Sequence, residues 1–195
     1  MSAPRLLVCL GAALLLAAGA DASPITPNAN LSGTVHDGEN HMGADGSNSD
    51  LSNASLVGTN LRNTSFVDTS FLNANLTNAN LTNTDATDAD FTNANLTGTL
   101  LRDGTFTSAT FDGATLTGNV SNADFGSASF LGADLSGVGN WASANWTGVQ
   151  IDADTILPAG MDPVAESMVF VREPHTAALL CLGLLGLGVY GRPRA

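Results

Sequence analysis

Residues 74–98 read ANLTNANLTNTDATDADFTNANLTG, from Ala74 to Gly98, and their beat of five decides the fold. An apolar residue returns at every fifth position: Leu76, Leu81, Ala86, Phe91 and Leu96. The same phase runs back through Phe71, Phe66, Leu61, Leu56 and Leu51, and forward through Leu101, Phe106, Phe111 and Leu116. Two residues ahead of each apolar centre stands a small residue, such as Ser49, Ala54, Thr59, Ala74, Ala79 or Ala114. Ala86 is the one weak member of the ladder.

Five matches neither common period. On a helix every fifth residue advances by about 500°, a net rotation of about 140°, so the apolar stripe smears around the cylinder. On a straight strand side chains alternate, and an odd step sends successive leucines to opposite faces. The apolar residues stay together only if the chain turns a corner at every repeat. Four sides then close one square coil of twenty residues, and coils stack. The residues two after each centre supply the corners: Asn53, Asn63, Asp68, Asn73, Asn78, Asn83, Asp88, Asn93, Gly98, Asp103, Gly113 and Gly118. Asn, Asp and Gly tolerate turn dihedrals or bond their own backbone.

Residues twenty apart then belong to one face. The first face reads Leu51, Phe71, Phe91, Phe111 and the second Leu56, Leu76, Leu96, Leu116. The beat slips to four at Val120, returns to five through Phe125, Phe130 and Leu135, and stretches to six at Trp141 before Trp146, Ile151 and Ile156. Four and six restore ten, so face identity survives. The first face continues to Phe130 and Ile151, and the second to Leu135 and Ile156. The third runs Leu61, Leu81, Leu101, Val120, Trp141, and the fourth Phe66, Ala86, Phe106, Phe125, Trp146. The pattern predicts one all-β solenoid over 51–157, of about five coils and on the order of 25 Å long.

The segments Ala74–Asn78, Ala79–Asn83 and Ala94–Gly98 resemble the A-(D/N)-L-x-x unit of the pentapeptide repeat family. The resemblance covers about half the chain and implies a right-handed quadrilateral parallel β-helix. Ala86, Leu100-Leu101 and the two slips depart from the unit.

The termini read as addresses. Arg5, the apolar run Leu6–Ala18 and Ala20-Asp21-Ala22 before Ser23 form a signal-peptide pattern over 1–22 that implies cleavage after Ala22 by a signal peptidase following Sec-type export. At the other end an apolar stretch over 176–191, expected to be helical, precedes Arg192 and Arg194. It is short but feasible as a membrane segment with the arginines on the cytoplasmic side. The box Val171, Arg172, Glu173, Pro174, His175, Thr176 resembles that of PEP-CTERM sorting signals, with Arg172 in place of the first proline. That resemblance implies a sorting segment over 172–195 and recognition by an exosortase-like enzyme, in a setting of exopolysaccharide or envelope proteins. Between the addresses, 23–50 reads as a degenerate first coil or a mobile lead, because His36, His41 and Gly46 stand where leucine belongs. Residues 158–171 read as a cap, with Asp162-Pro163 starting a short helix toward Met168. Cys9 and Cys181 both fall in the terminal segments, leaving the repeat without thiol chemistry.

The formal net charge is -12 and lysine is absent. Between Ser23 and Val171 only Arg62 and Arg102 are basic, against sixteen acidic residues. Such a surface disfavours nucleic acid. No catalytic constellation, phosphate loop or zinc spacing occurs, and no cofactor or metal is expected. A metal site can be drawn from His36 and His41 with Asp37, Glu39 and Asp45, but a flexible acidic loop is the preferred reading. Asp45–Asp50 and Asp152-Ala153-Asp154 invite calcium, yet neither fits the twelve-residue calcium loop. Recurrent Asn-x-Ser/Thr triplets follow from the repeat composition. The sequence therefore predicts a non-enzymatic, exported structural or binding scaffold of the bacterial envelope or extracellular matrix. The pentapeptide repeat resemblance implies one alternative, an acidic, DNA-mimicking inhibitor of DNA gyrase, which the export signal opposes; a calcium-dependent surface adhesin is another.

Overall fold

A computed structural model of the chain describes residues 24–171. Its order comes from parallel pairing of each side with the side one coil later. Asn30 bridges Asp50, Ser55 bridges Asn75, Asn75 bridges Asn95 and Asp90 bridges Thr110. Between bridges the chain turns. The carbonyl of each centre accepts the N–H three residues on, as Phe71 O does from Ala74 N at 2.9 Å and Leu76 O from Ala79 N at 2.9 Å. The third residue of each turn has positive φ, for example Asn73 at 58°, Asp88 at 59° and Asn93 at 56°. All twelve corner residues read from the sequence adopt this conformation, which Asn, Asp and Gly reach at least cost.

The interior is dry and continuous. Leu51, Leu56, Leu61, Phe66, Phe71, Leu76, Leu81, Phe91, Leu96, Leu101, Phe106, Phe111, Leu116, Phe125, Phe130 and Leu135 are all fully buried. Each such side chain contributes about 1.5–3 kcal/mol of burial. The small residue two places earlier also points inward. Where it is threonine rather than alanine its hydroxyl is satisfied: Thr59 Oγ1 donates to the His36 carbonyl at 2.7 Å, and Thr99 Oγ1 to the Leu76 carbonyl at 2.8 Å.

Both slips are absorbed locally. Thr97-Gly98-Thr99 faces only Thr117-Gly118, so the register jumps between Leu96 and Thr99, and the coil pairs at nineteen residues as Thr105 with Asp124. The longer coil pairs Ser129 with Gln150 at twenty-one, its extra residue held in a left-handed Asn140 and one 3-10 turn at Trp141–Ser143. This corrects two face assignments. Val120 N bonds to Gly139 O, which puts Asn140 in the Val120 register, while Trp141 lies half-buried at the start of the 3-10 turn. Asp134 pairs with Ile156, leaving Ile156 outside at 53 % exposure while Leu157 turns toward the core. The turn at Asp152–Thr155 accommodates this second shift, which adds one residue to the corner.

Residues 31–50 form a full coil beneath which the five coils from Leu51 continue. His36 N and His41 N bond to Ser55 O and Asn60 O at 2.8 and 2.9 Å. Gly46 leaves a gap that Ile25 and the Phe66 ring fill; a Cβ there would sit 2.6 Å from each. At the far end Gln150–Ile151 pairs in parallel with Val169–Phe170. The Asp162 segment makes a single turn, with Asp162 Oδ1 accepting Val164 N–H at 2.9 Å and Ser167 ending it at positive φ, instead of the short helix expected. Among the described residues no helix is long and apolar enough to cross a membrane. The expected signal helix and the 176–191 helix lie outside the described residues.

Candidate functional site

With the interior spent on packing, chemistry is left to the outer faces and to the one coil whose interior is polar. On the outer faces the residue before each centre is repeatedly Asn or Asp. Its side-chain oxygen accepts the N–H two residues on: Asn75 Oδ1 from Thr77 at 3.2 Å, Asp90 Oδ1 from Thr92 at 2.9 Å, Asn95 Oδ1 from Thr97 at 3.0 Å. These residues brace the corner from outside, a role the turn chemistry of Asx residues provides. This second brace occupies the middle position of the A-(D/N)-L spacing and works beside the positive-φ corner residue that the turn pattern alone reveals. The Ser47, Ser52 and Ser136 contacts of this kind hold Asp45, Asp50 and Asp134 below the usual carboxylate range. Asp152 Oδ1 is occupied by the N–H groups of Gly132, Asp154 and Thr155 and by the Thr155 hydroxyl.

Charge is segregated on the rod. Asp45, Asp85 and Asp124 stack on the fourth face, with Asp68 and Asp88 at its corners. Asp50, Asp90 and Asp112 lie on the adjoining first face. Arg62 and Arg102, both exposed, share the third face, separated by Thr82, with the exposed Asp103 beside Arg102.

The polar interior belongs to the first coil. His36 and His41 occupy the two centres between Leu31 and Gly46, and Thr34 and Glu39 the inward positions two residues before them. His36 is 2 % exposed and His41 7 %. Glu39 Oε2 lies 2.8 Å from His36 Nδ1 and 2.8 Å from His41 Nε2, and the imidazoles meet edge to face at 5.3 Å. Thr34 Oγ1 lies 2.9 Å from His36 Nε2 and donates to the Leu31 carbonyl at 2.5 Å. Of the two readings of this stretch, the degenerate first coil is the one seen over residues 31–50, with a closed polar cluster in place of the flexible acidic loop. Its signal was the beat itself: His36 and His41 are in phase with Leu51, and Glu39 takes the phase of the inward alanines. Of the other sites read from sequence, the ladder residues lie in the core, and Val171 N donates to Ile151 O at 2.7 Å. Arg172, Glu173, Pro174, His175 and Thr176, and the cleavage residues Ala20, Ala22 and Ser23, lie outside the described residues.

Against known proteins, a sequence model of the family described as pentapeptide repeats matches eight copies over residues 28–63, 54–93 and 87–118. Among solved structures, trypsin-treated QnrB1, a plasmid-mediated fluoroquinolone resistance protein, is similar at 24% identity and TM-score 0.45, covering 82% of this chain and 94% of that one. HetL, a pentapeptide repeat protein involved in heterocyst differentiation regulation from the cyanobacterium Nostoc, is similar at 18% identity and TM-score 0.37, over 73% and 85% of the two chains. A pentapeptide repeat protein from the Arabidopsis thaliana thylakoid lumen reaches 31% identity over 59% and 70%, at TM-score 0.21. No curated protein sequence matches the chain.

Proposed function

We propose that this chain, a pentapeptide repeat scaffold whose matched repeats span residues 28–118, serves as an exported binding and structural rod of the bacterial envelope or extracellular matrix. The observation that carries the reading is the division of labour in the coil. The inward positions between Leu51 and Leu135 are used for packing, while many outward positions carry short Asn, Asp, Ser and Thr side chains, several of them bonded to the backbone. Such a surface is rigid and hydrated, and it meets a partner with little loss of side-chain entropy. The acidic first and fourth faces favour basic or cation-bridged partners, whereas the third face carries both arginines, with Asp103 beside Arg102.

The addresses read at the termini supply the setting: export through the 1–22 segment and sorting through Val171–Thr176 with the apolar segment that follows. Exopolysaccharide or envelope proteins are the partners that setting offers. Subcellular fractionation of the native host with an antibody to the repeat domain tests the proposal. Recovery in the envelope or medium supports it, and recovery in the cytoplasm with Met1 intact refutes it.

A further inference from the structure

We propose that His36, Glu39 and His41 bind one divalent ion of the zinc class inside the mouth of the first coil. The argument begins with proton directions. The Thr34 hydroxyl has a single proton, and the Leu31 carbonyl takes it at 2.5 Å. The Thr34 contact with His36 Nε2 at 2.9 Å therefore has the imidazole as donor. A neutral His36 is left with its lone pair on Nδ1, and that lone pair faces Glu39 Oε2 at 2.8 Å. Two acceptors at that distance repel, so a positive charge, either a proton or a metal ion, belongs between them. His41 Nε2 approaches the same oxygen at 2.8 Å, which draws both imidazoles to one point.

The donor set is one that can also hold a metal. Two imidazoles and a carboxylate are ligands of the zinc class, and the three donor atoms all lie within 4.8 Å of one another. Metal–donor bonds of about 2.1 Å in tetrahedral geometry place neighbouring donors about 3.4 Å apart. Reaching it requires Glu39 to withdraw slightly and the imidazoles to close. Glu39 has the freedom to do so, because it is long and its side chain is 27 % exposed, against 2 % for His36. Thr34 supplies the outer support that a ligating histidine needs, holding Nε2–H so that Nδ1 faces the ion. Leu56 and Leu61, fully buried one coil later, form an apolar floor.

The site also accounts for a departure from the ladder. Two histidines in phase, with a glutamate at an inward position where later coils place Ala or Thr, replace apolar burial with a polar cluster. A bound ion ties Thr34, Glu39 and His41 together across one corner of the first coil, where no interior ladder from an earlier coil stacks among the described residues.

Isothermal titration of zinc chloride into the chelator-treated full chain near neutral pH tests the site. The expected result is one equivalent bound, with affinity lowered at least tenfold by His36→Gln, His41→Gln or Glu39→Gln and unchanged by His175→Gln, the third histidine. The double variant His36→Leu/His41→Leu restores the apolar ladder, so it should keep the wild-type circular dichroism and bind no zinc at the site. Cobalt added to the wild type should give a visible d–d band that this variant lacks. Absence of zinc uptake by the wild type overturns the proposal, leaving the cluster as a proton-sharing cap. Uptake unaltered in the folded double variant also overturns it, placing any bound zinc on surface carboxylates.

Discussion

Phe91 and Phe111 stack with ring centroids 4.8 Å apart and planes 3° from parallel. Phe71 continues the column on one side at 4.7 Å and Phe130 on the other at 4.7 Å. The spacing equals the strand separation of a sheet, so the rings repeat because the backbone does. Replacing Phe91 by alanine opens a hole in the middle of this column that neither neighbour can leave its coil to fill. Phe91→Ala should cost about 3–5 kcal/mol in denaturant unfolding, whereas Phe91→Leu, the residue used on the next face, should cost well under half of that. Equal losses for the two variants would mean that the column is not a packed unit.

The slip at Val120 depends on Gly118. Its φ of 126° and the 2.2 Å that would separate a Cβ from the Thr99 carbonyl oxygen leave no room for a side chain. Gly33 has φ 68° and open space around it. Gly118→Ala should therefore destabilise by more than 2 kcal/mol, roughly, and Gly33→Ala by about 1 kcal/mol, the cost of the conformation alone. Urea midpoints measured side by side check the ranking.

Ser108 and Ser127 hold φ of 60° each at corners where other coils place Asn, Asp or Gly. Serine lacks the tolerance of those residues for this region. Ser108→Gly and Ser127→Asn should each raise stability by about 0.5–1 kcal/mol, visible as a higher melting temperature.

Acid should weaken the last corner. Partial burial raises the pKa of Asp152, but the Gly132 N–H, the Thr155 hydroxyl and the N–H groups of Asp154 and Thr155 outweigh it and hold the carboxyl below its ordinary 3.8. A carboxyl depressed on folding stabilises the fold fully above the unfolded value, and that contribution is lost as pH falls through the folded one. Asp152→Asn keeps an acceptor at the same place and loses the titration. Its stability should fall less steeply than that of the wild type below about pH 4. Superimposable acid profiles would remove Asp152 from the account.

The legible part of this protein was whatever repeats. The phase of Leu76, Leu81 and Leu96 revealed the coil, and Asn73, Asn78 and Asp88 its corners, because each of those roles is enforced by one local geometry. The slips were legible as counts but not as shapes. Ile156 was placed inside because the beat alone cannot see that Asp152 would capture three backbone N–H groups and lengthen its corner. Trp141 was misplaced for the same reason, since the extra residue went into Asn140 and a 3-10 turn. His36, Glu39 and His41 were visible in phase, yet polar residues at apolar positions read as a broken repeat. Only the closed contacts at 2.8 Å turn them into a cluster.

Under the proposed function the outer faces of the rod meet its partners and the two terminal segments set its destination. Intact mass of the protein isolated from its native host tests that claim most directly. The predicted result is a chain beginning at Ser23 and shortened at or after the Val171–Thr176 box. A mass equal to the whole sequence from Met1 to Ala195, found in the cytoplasm, would contradict it.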